Sequence, residues 1–229
     1  MKRYELILFD LDGTLVETAP EICDAVNDTL QHFRFSGVAQ SQVNDWIGHG
    51  TLELLIQALA FVQNVSADTI RHSTTLPEIA AVFKTHYRAR CGTRSHCYPK
   101  VMQALVHLKA QGVRLAVVTN KEGAYTQTVL DAHGLTGMFD RVISGDTLPT
   151  KKPHPHGVIA CLEMFNLPPD KVLFVGDSSI DIATARNAGV AVWAVPYGYN
   201  MGQAIADSKP DRLIQDFGAL MENGDSARA

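Results

Sequence analysis

Two aspartates close an apolar run near the start of the chain, in Leu6-Ile7-Leu8-Phe9-Asp10-Leu11-Asp12-Gly13-Thr14. Residues two apart in an extended chain point the same way, so Asp10 and Asp12 could face one site. Carboxylates so placed can attack an electrophile, shuttle a proton or hold a cation. Taken alone, the pair is read equally well as a polar strand end with an Asx turn. Other polar residues sharpen the choice. Leu115-Ala116-Val117-Val118 stops at Thr119-Asn120, and Val172-Leu173-Phe174-Val175 stops at Gly176-Asp177. Lys151 and Lys152 stand in a proline-rich loop after another short apolar run. In an open parallel sheet, ligands bind beyond the carboxyl ends of the strands. These residues are therefore expected along one edge. Carboxylates brought together repel one another, so a cation is expected among them. Oxygen ligands with retained waters suit Mg²⁺ better than Zn²⁺.

The positioning elements follow from the hydrophobic pattern. Apolar runs of four or five residues bounded by turn signals read as buried strands. They alternate with helical stretches from Tyr98 onward, which predicts an α/β fold with a doubly wound parallel sheet, a Rossmann-like core. Gly13 permits a sharp turn after the first strand. From about Thr18 to Ser95 the periodicity is helical, without a confident strand. Thr18 to Glu21 and Thr75 to Glu78 both carry a capping-box pattern. The expected organisation is an α/β core of residues 1–16 and 96–229, with residues 17–95 as a helical cap inserted after the first strand. The polar tail from Met221 to Ala229 is expected to fray.

Bulk properties exclude several functions. The chain has 229 residues, a formal net charge of -4 and a pI near 6.1, which speaks against a general nucleic-acid binder. No apolar run approaches the roughly 18 residues of a membrane span. Acidic residues interrupt any signal-peptide reading of the start, so a cytoplasmic protein is expected. Cys23, Cys91, Cys97 and Cys161 are scattered, as reduced thiols would be. Cys91, His96 and Cys97 are close but lack a zinc-site spacing. Nothing in the sequence sets the oligomeric state, which leaves monomer and homodimer open.

Four blocks in order, Asp10-Leu11-Asp12-Gly13-Thr14, Thr119-Asn120, Lys152-Pro153-His154-Pro155 and Gly176-Asp177-Ser178-Ser179-Ile180-Asp181, resemble the haloacid-dehalogenase superfamily. The helical insert resembles that family's mobile cap. Within it, Trp46-Ile47-Gly48-His49-Gly50, Thr119-Asn120-Lys121 and Tyr197-Gly198-Tyr199-Asn200 look like the phosphoglycolate phosphatase group. The resemblance implies a phosphatase acting on a small phosphorylated metabolite, most simply 2-phosphoglycolate. It implies Asp10 as nucleophile and Asp12 as acid and base. It implies Mg²⁺ on Asp10, on the Asp12 carbonyl and on Asp177. Thr119 would donate to a phosphoryl oxygen through its hydroxyl and Asn120 through its side-chain amide or its backbone, and Lys152 would offset charge. Asp181 would orient Lys152 or reach the metal through water, with Gly176 and Gly13 in supporting places. His49, between two glycines of the insert, is a candidate substrate contact.

Rival readings remain within the same fold. A haloalkanoic-acid dehalogenase would not need Asp12 or a metal. A phosphonatase needs a cap lysine, and the insert offers only Lys84. A sugar-phosphate mutase shares both aspartates. A phospho-aspartate signalling module without turnover would not need the large insert.

Overall fold

The computed structural model describes residues 4–222; the tail beyond residue 222 lies outside them. Six parallel strands form one sheet: β1 (Leu6–Phe9), β4 (Arg114–Val118), β5 (Arg141–Ile143), β6 (Val172–Gly176), β7 (Ala191–Ala194) and β8 (Arg212–Leu213). Their order is β5-β4-β1-β6-β7-β8, so β1 lies inside the sheet with β4 and β6 on its two flanks. Phe9 stands level with Val117 and Val175. Asp10, Thr119 and Gly176-Asp177 thus leave the sheet side by side.

Alternation along the strands builds two cores. Leu6, Leu8, Ala116, Val118 and Phe174 face one side, against Val158 and Cys161 of α8 (His156–Phe165) and Ala185 of α9 (Ser179–Asn187). Ile7, Phe9, Leu115, Val117 and Val175 face the other, against α6 (Val101–Ala110), α7 (Gly123–Ala132) and α10 (Gly218–Met221). All of these strand residues are nearly inaccessible to solvent, as expected of a parallel sheet covered on both faces.

The strand–helix alternation is found as the sequence predicts, with two additions. A two-stranded antiparallel ribbon pairs β2 (Val16–Glu17) with β3 (His96–Cys97). Between these strands lie α1 (Ala19–His32), α2 (Gln40–Trp46), α3 (Thr51–Gln63), α4 (Ala67–Arg71) and α5 (Leu76–Arg90). The chain therefore leaves and re-enters the α/β part through adjacent strands. The edge strand β8 is the other addition.

The capping boxes do not form. Neither Thr18 nor Thr75 makes a side-chain cap hydrogen bond. The Thr18 hydroxyl donates instead to Asp12 Oδ1 at 2.6 Å. Glu21 is fully buried, and its Oε2 accepts from the backbone amides of Arg94 and Ser95 at 3.3 and 3.1 Å. A local cap signature has yielded to partners brought in by the fold. Arg90 of α5 pairs with Asp28 of α1, and Arg94, in the loop after α5, pairs with Asp24 of α1. No helix among the described residues is long and apolar enough to cross a membrane.

Candidate active site

The carboxyl ends of β1, β4 and β6 open into a cavity lined by Asp10, Asp12, Thr119, Asn120, Lys121, Asp177, Ser178 and Tyr199. Ile22, Ile47, Gly48, Gly50, Thr51 and Leu54 close it from the inserted helices. The strand-end residues expected from sequence are therefore gathered at one place.

Lys152 is the hub of the buried charges. Its side chain is 4% exposed, and its ammonium lies 2.8 Å from Asp10 Oδ1 and 2.6 Å from Asp181 Oδ1. Burial opposes the lysine's charge, but Asp10 and Asp181 outweigh it and raise its pKa above the ordinary range. Burial, with Asp181 adding to it, pushes Asp10 up to about 7, although Lys152 pulls it down. The other oxygen of Asp181 accepts from the backbone amides of Asp177 and Ser178 and from the Ser178 hydroxyl, at 3.1, 3.0 and 2.7 Å. Ser178 in turn caps α9 by accepting from the Asp181 amide. Both Asp181 oxygens are thus committed to holding Lys152 and the start of α9. Gly176 ends β6 against the Asp181 side chain.

Asp177 is 2% exposed. Its oxygens accept from the Thr14 hydroxyl and from the Tyr199 amide at 2.6 Å. Burial, then Asp181 and Asp10, raise its pKa well above the usual carboxylate range. Gly13 and Gly198 press on this carboxylate, and a Cβ at either would overlap it. Gly13 also has φ +83°, a conformation that side chains rarely adopt.

This donor set fits a hard cation. Asp10 and Asp177 each present an oxygen, and with one Asp181 oxygen, itself already engaged, these atoms lie within 4.8 Å of one another. Asp10 Oδ1 is buried without a hydrogen bond, since the Lys152 ammonium is near enough for an ion pair but off the hydrogen-bond direction. One lysine does not neutralise three buried carboxylates. Among the described residues this set is the one group of three or more acidic, histidine or cysteine side chains with ligand atoms this close together.

Thr119 is buried beside the cavity, and its hydroxyl oxygen accepts from the Lys121 amide at 3.3 Å. Its O–H remains to donate. Asn120 lines the cavity, but its side chain is engaged elsewhere. Its side-chain amide donates to the carbonyls of Gly48 and Lys152 at 2.9 and 3.0 Å, and its oxygen accepts from the Lys152 amide at 2.8 Å. The side chain clamps three loops together instead of pointing at a ligand. His49 is not brought into the cavity. It is exposed in a neighbouring groove with Trp46, Glu53 and Arg71, while Gly48 and Gly50 on either side of it line the cavity. His154 and His156 lie near Thr150, outside the cavity.

Known proteins match this arrangement along nearly the whole chain. The model of the haloacid dehalogenase-like hydrolases matches residues 7–195. The chain belongs to that family. It is 37% identical over 226 residues to a phosphoglycolate phosphatase of Vibrio cholerae, covering 97% of each chain. It is 38% identical over 221 residues to one of Pasteurella multocida, covering 96% of this chain and 98% of that one. A crystal structure described as a predicted phosphoglycolate phosphatase from Haemophilus somnus superposes with a TM-score of 0.90 at 36% identity, over 97% and 99% of the two chains.

Within this family fold, sequence reasoning missed Lys121 as a site residue. It is 3% exposed, lines the cavity, and donates to Asp12 Oδ1 at 2.8 Å and to the Tyr87 hydroxyl of α5 at 2.5 Å. Burial opposes its charge, but Asp12 and then Tyr87 raise its pKa well above the ordinary lysine range. Its signal was its place directly after Thr119-Asn120 at a strand end. Thr14 and Tyr199, which hold Asp177, stand in sequence motifs that assigned them no role.

Proposed function

We propose that the chain is a Mg²⁺-dependent phosphatase that hydrolyses 2-phosphoglycolate to glycolate and phosphate. The observation that carries this reading is the pairing at the end of β1. Asp10 and Asp12 face one small cavity, Asp10 against the Lys152 ammonium and Asp12 clamped beside it. The relatives named above supply the substrate. Asp10 and Asp177, with the Asp12 carbonyl, would hold Mg²⁺, and the bound ion would neutralise charge and align the phosphoryl group.

In the first step an Asp10 oxygen forms a bond to phosphorus while the bond from phosphorus to the ester oxygen breaks. The leaving oxygen takes the released electron pair and a proton from the Asp12 carboxyl group. In the second step water attacks phosphorus, its proton passes to Asp12, and the Asp10–phosphorus bond breaks. Phosphate leaves and both aspartates are restored. Thr119 donates its hydroxyl proton to a phosphoryl oxygen, and Lys152 stabilises charge between Asp10 and the phosphate. Asp181 holds Lys152 in place. Asn120 fixes the Lys152 loop to the Gly48 turn. Residues 17–95 act as a cap, with the ribbon β2–β3 as its attachment and Ile22, Ile47 and Leu54 excluding water.

A panel of phosphomonoesters, with and without Mg²⁺ and read as kcat/KM, tests this reading. 2-Phosphoglycolate is expected to rank first and to require the metal. Another ester ranking far above it overturns the substrate. Metal-independent turnover, or phosphate retained on an isomerised product, overturns the chemistry.

A further inference from the structure

The buried ammonium of Lys121 is not explained by the roles proposed above. Burying an unpaired charge is expensive, so its partners show what it is for. It lies 5.1 Å from the ring centre of Tyr87 and bonds that residue's hydroxyl. Its other partner is Asp12, at 2.8 Å. The Tyr87 ring is itself fully buried, 5.6 Å from Phe83 and 4.4 Å from Tyr125, centre to centre. The lysine is therefore held on a rigid aromatic wall.

Both donors on Asp12 grip the same oxygen. The Thr18 hydroxyl and the Lys121 ammonium meet at Oδ1, and no described partner meets Oδ2. Two donors on one oxygen fix the carboxyl plane and leave the second oxygen to exchange a proton. The three groups come from different places: Thr18 starts α1, Lys121 follows β4, and Tyr87 belongs to α5 of the insert. We infer that Lys121 is a positioning residue for Asp12, itself held by Tyr87, so that the proton-transferring oxygen is aimed only while the inserted helices are docked. The inference rests on Asp12 being the acid and base of the proposed reaction.

Leaving-group chemistry separates this role from a merely structural one. An alkoxide such as glycolate needs a proton as it departs, whereas p-nitrophenolate departs without one. The test follows release of the leaving group in a single turnover, with Mg²⁺-loaded full-length enzyme in excess. With 2-phosphoglycolate, Lys121→Met is expected to slow release about 100-fold, within the usual range for a general acid. With p-nitrophenyl phosphate, it is expected to slow release less than about threefold, at a half-saturating concentration within about twofold of wild type. Tyr87→Phe keeps the ring and should show the same selectivity at about 5- to 10-fold. It carries the test if the lysine variant does not fold. Equal slowing of both substrates by the two variants, or a raised half-saturating concentration with unchanged maximal rate, overturns the proposal. Asp12→Asn is the reference. If it is selective and the Lys121 and Tyr87 variants are not, only the positioning role falls. If Asp12→Asn slows both substrates alike, the acid/base reading falls and takes this inference with it.

Discussion

The two walls of the cavity are built on different terms. The strand-end wall is polar and mostly buried: Asp10, Asp12, Thr119, Lys121 and Asp177 all have named partners, charged ones for Asp10, Asp12 and Lys121 and neutral ones for Thr119 and Asp177. The wall from the inserted helices is apolar or backbone except for Thr51, whose hydroxyl donates to Glu122: Ile22, Ile47, Leu54, and the glycines of the Gly48-His49-Gly50 turn. Charged groups on rigid strand ends suit chemistry, because they need no reorganisation as the reaction proceeds. An apolar wall can shape the space and exclude water without chemistry of its own. Substitutions at the groups of the first wall that meet the phosphoryl group should therefore lower activity toward every substrate, and those at Asp12 and Lys121 in proportion to the leaving group's need for a proton. Those on the second should alter the ranking of substrates.

The largest effect that can break this contrast is at Lys152. Lys152→Met removes the cation between Asp10 and Asp181 and should lower kcat by about 10²- to 10³-fold across all esters. It should also destabilise the fold by about 3–5 kcal/mol, because buried carboxylates lose their partner. Denaturant unfolding reads the second effect independently. A substrate-dependent loss would put Lys152 on the selecting side.

Metal binding is the next test. The Asp10 carboxyl, raised to about 7 by burial, keeps its proton in the folded protein where the unfolded chain, near 4, has lost it. Without metal, its contribution to stability therefore falls as pH rises from about 4 through about 7. A cation needs the ionised form. Mg²⁺ at about 100 times its Kd should stabilise the fold by about 2.7 kcal/mol at pH 8, and by clearly less at pH 6. Thermal melts at both pH values check this, and an equal shift at both removes Asp10 from the ligands.

On the apolar wall the effects are smaller. Leu54→Ala should enlarge the space and shift the ratio of kcat/KM between larger and smaller esters by about tenfold, with the Mg²⁺ requirement unchanged. His49→Ala, outside the cavity, should change that ratio by less than about twofold. A larger effect would show that the neighbouring groove takes part in substrate recognition.

Legibility in the sequence follows the same division. Buried parallel strands must be apolar, so runs such as Val172 to Val175 and the polar residues that end them stand out. That exposed Asp10, Asp12, Thr119 and Asp177. Partnerships across the chain left less trace. Thr18 and Glu21 read as a local cap, yet their partners are Asp12 and the amides of Arg94 and Ser95, which only the fold brings near. Lys121 read as part of a motif, because nothing local marks a lysine as buried between an aspartate and a tyrosine. Of the two donors that Asn120 offered to phosphate, the side-chain amide holds loops together, which leaves the backbone one. The strands β2 and β3, two residues each, are too short for any periodicity to show.

The central claim is that Asp10 becomes covalently phosphorylated during turnover. Enzyme turning over 2-phosphoglycolate with Mg²⁺ can be treated with borohydride, which reduces an acyl phosphate to an alcohol, and its peptides then sequenced. The account predicts homoserine in place of aspartate at position 10, dependent on substrate. Continued turnover with Asp10 unmodified, or the reduced residue at another aspartate, would contradict it.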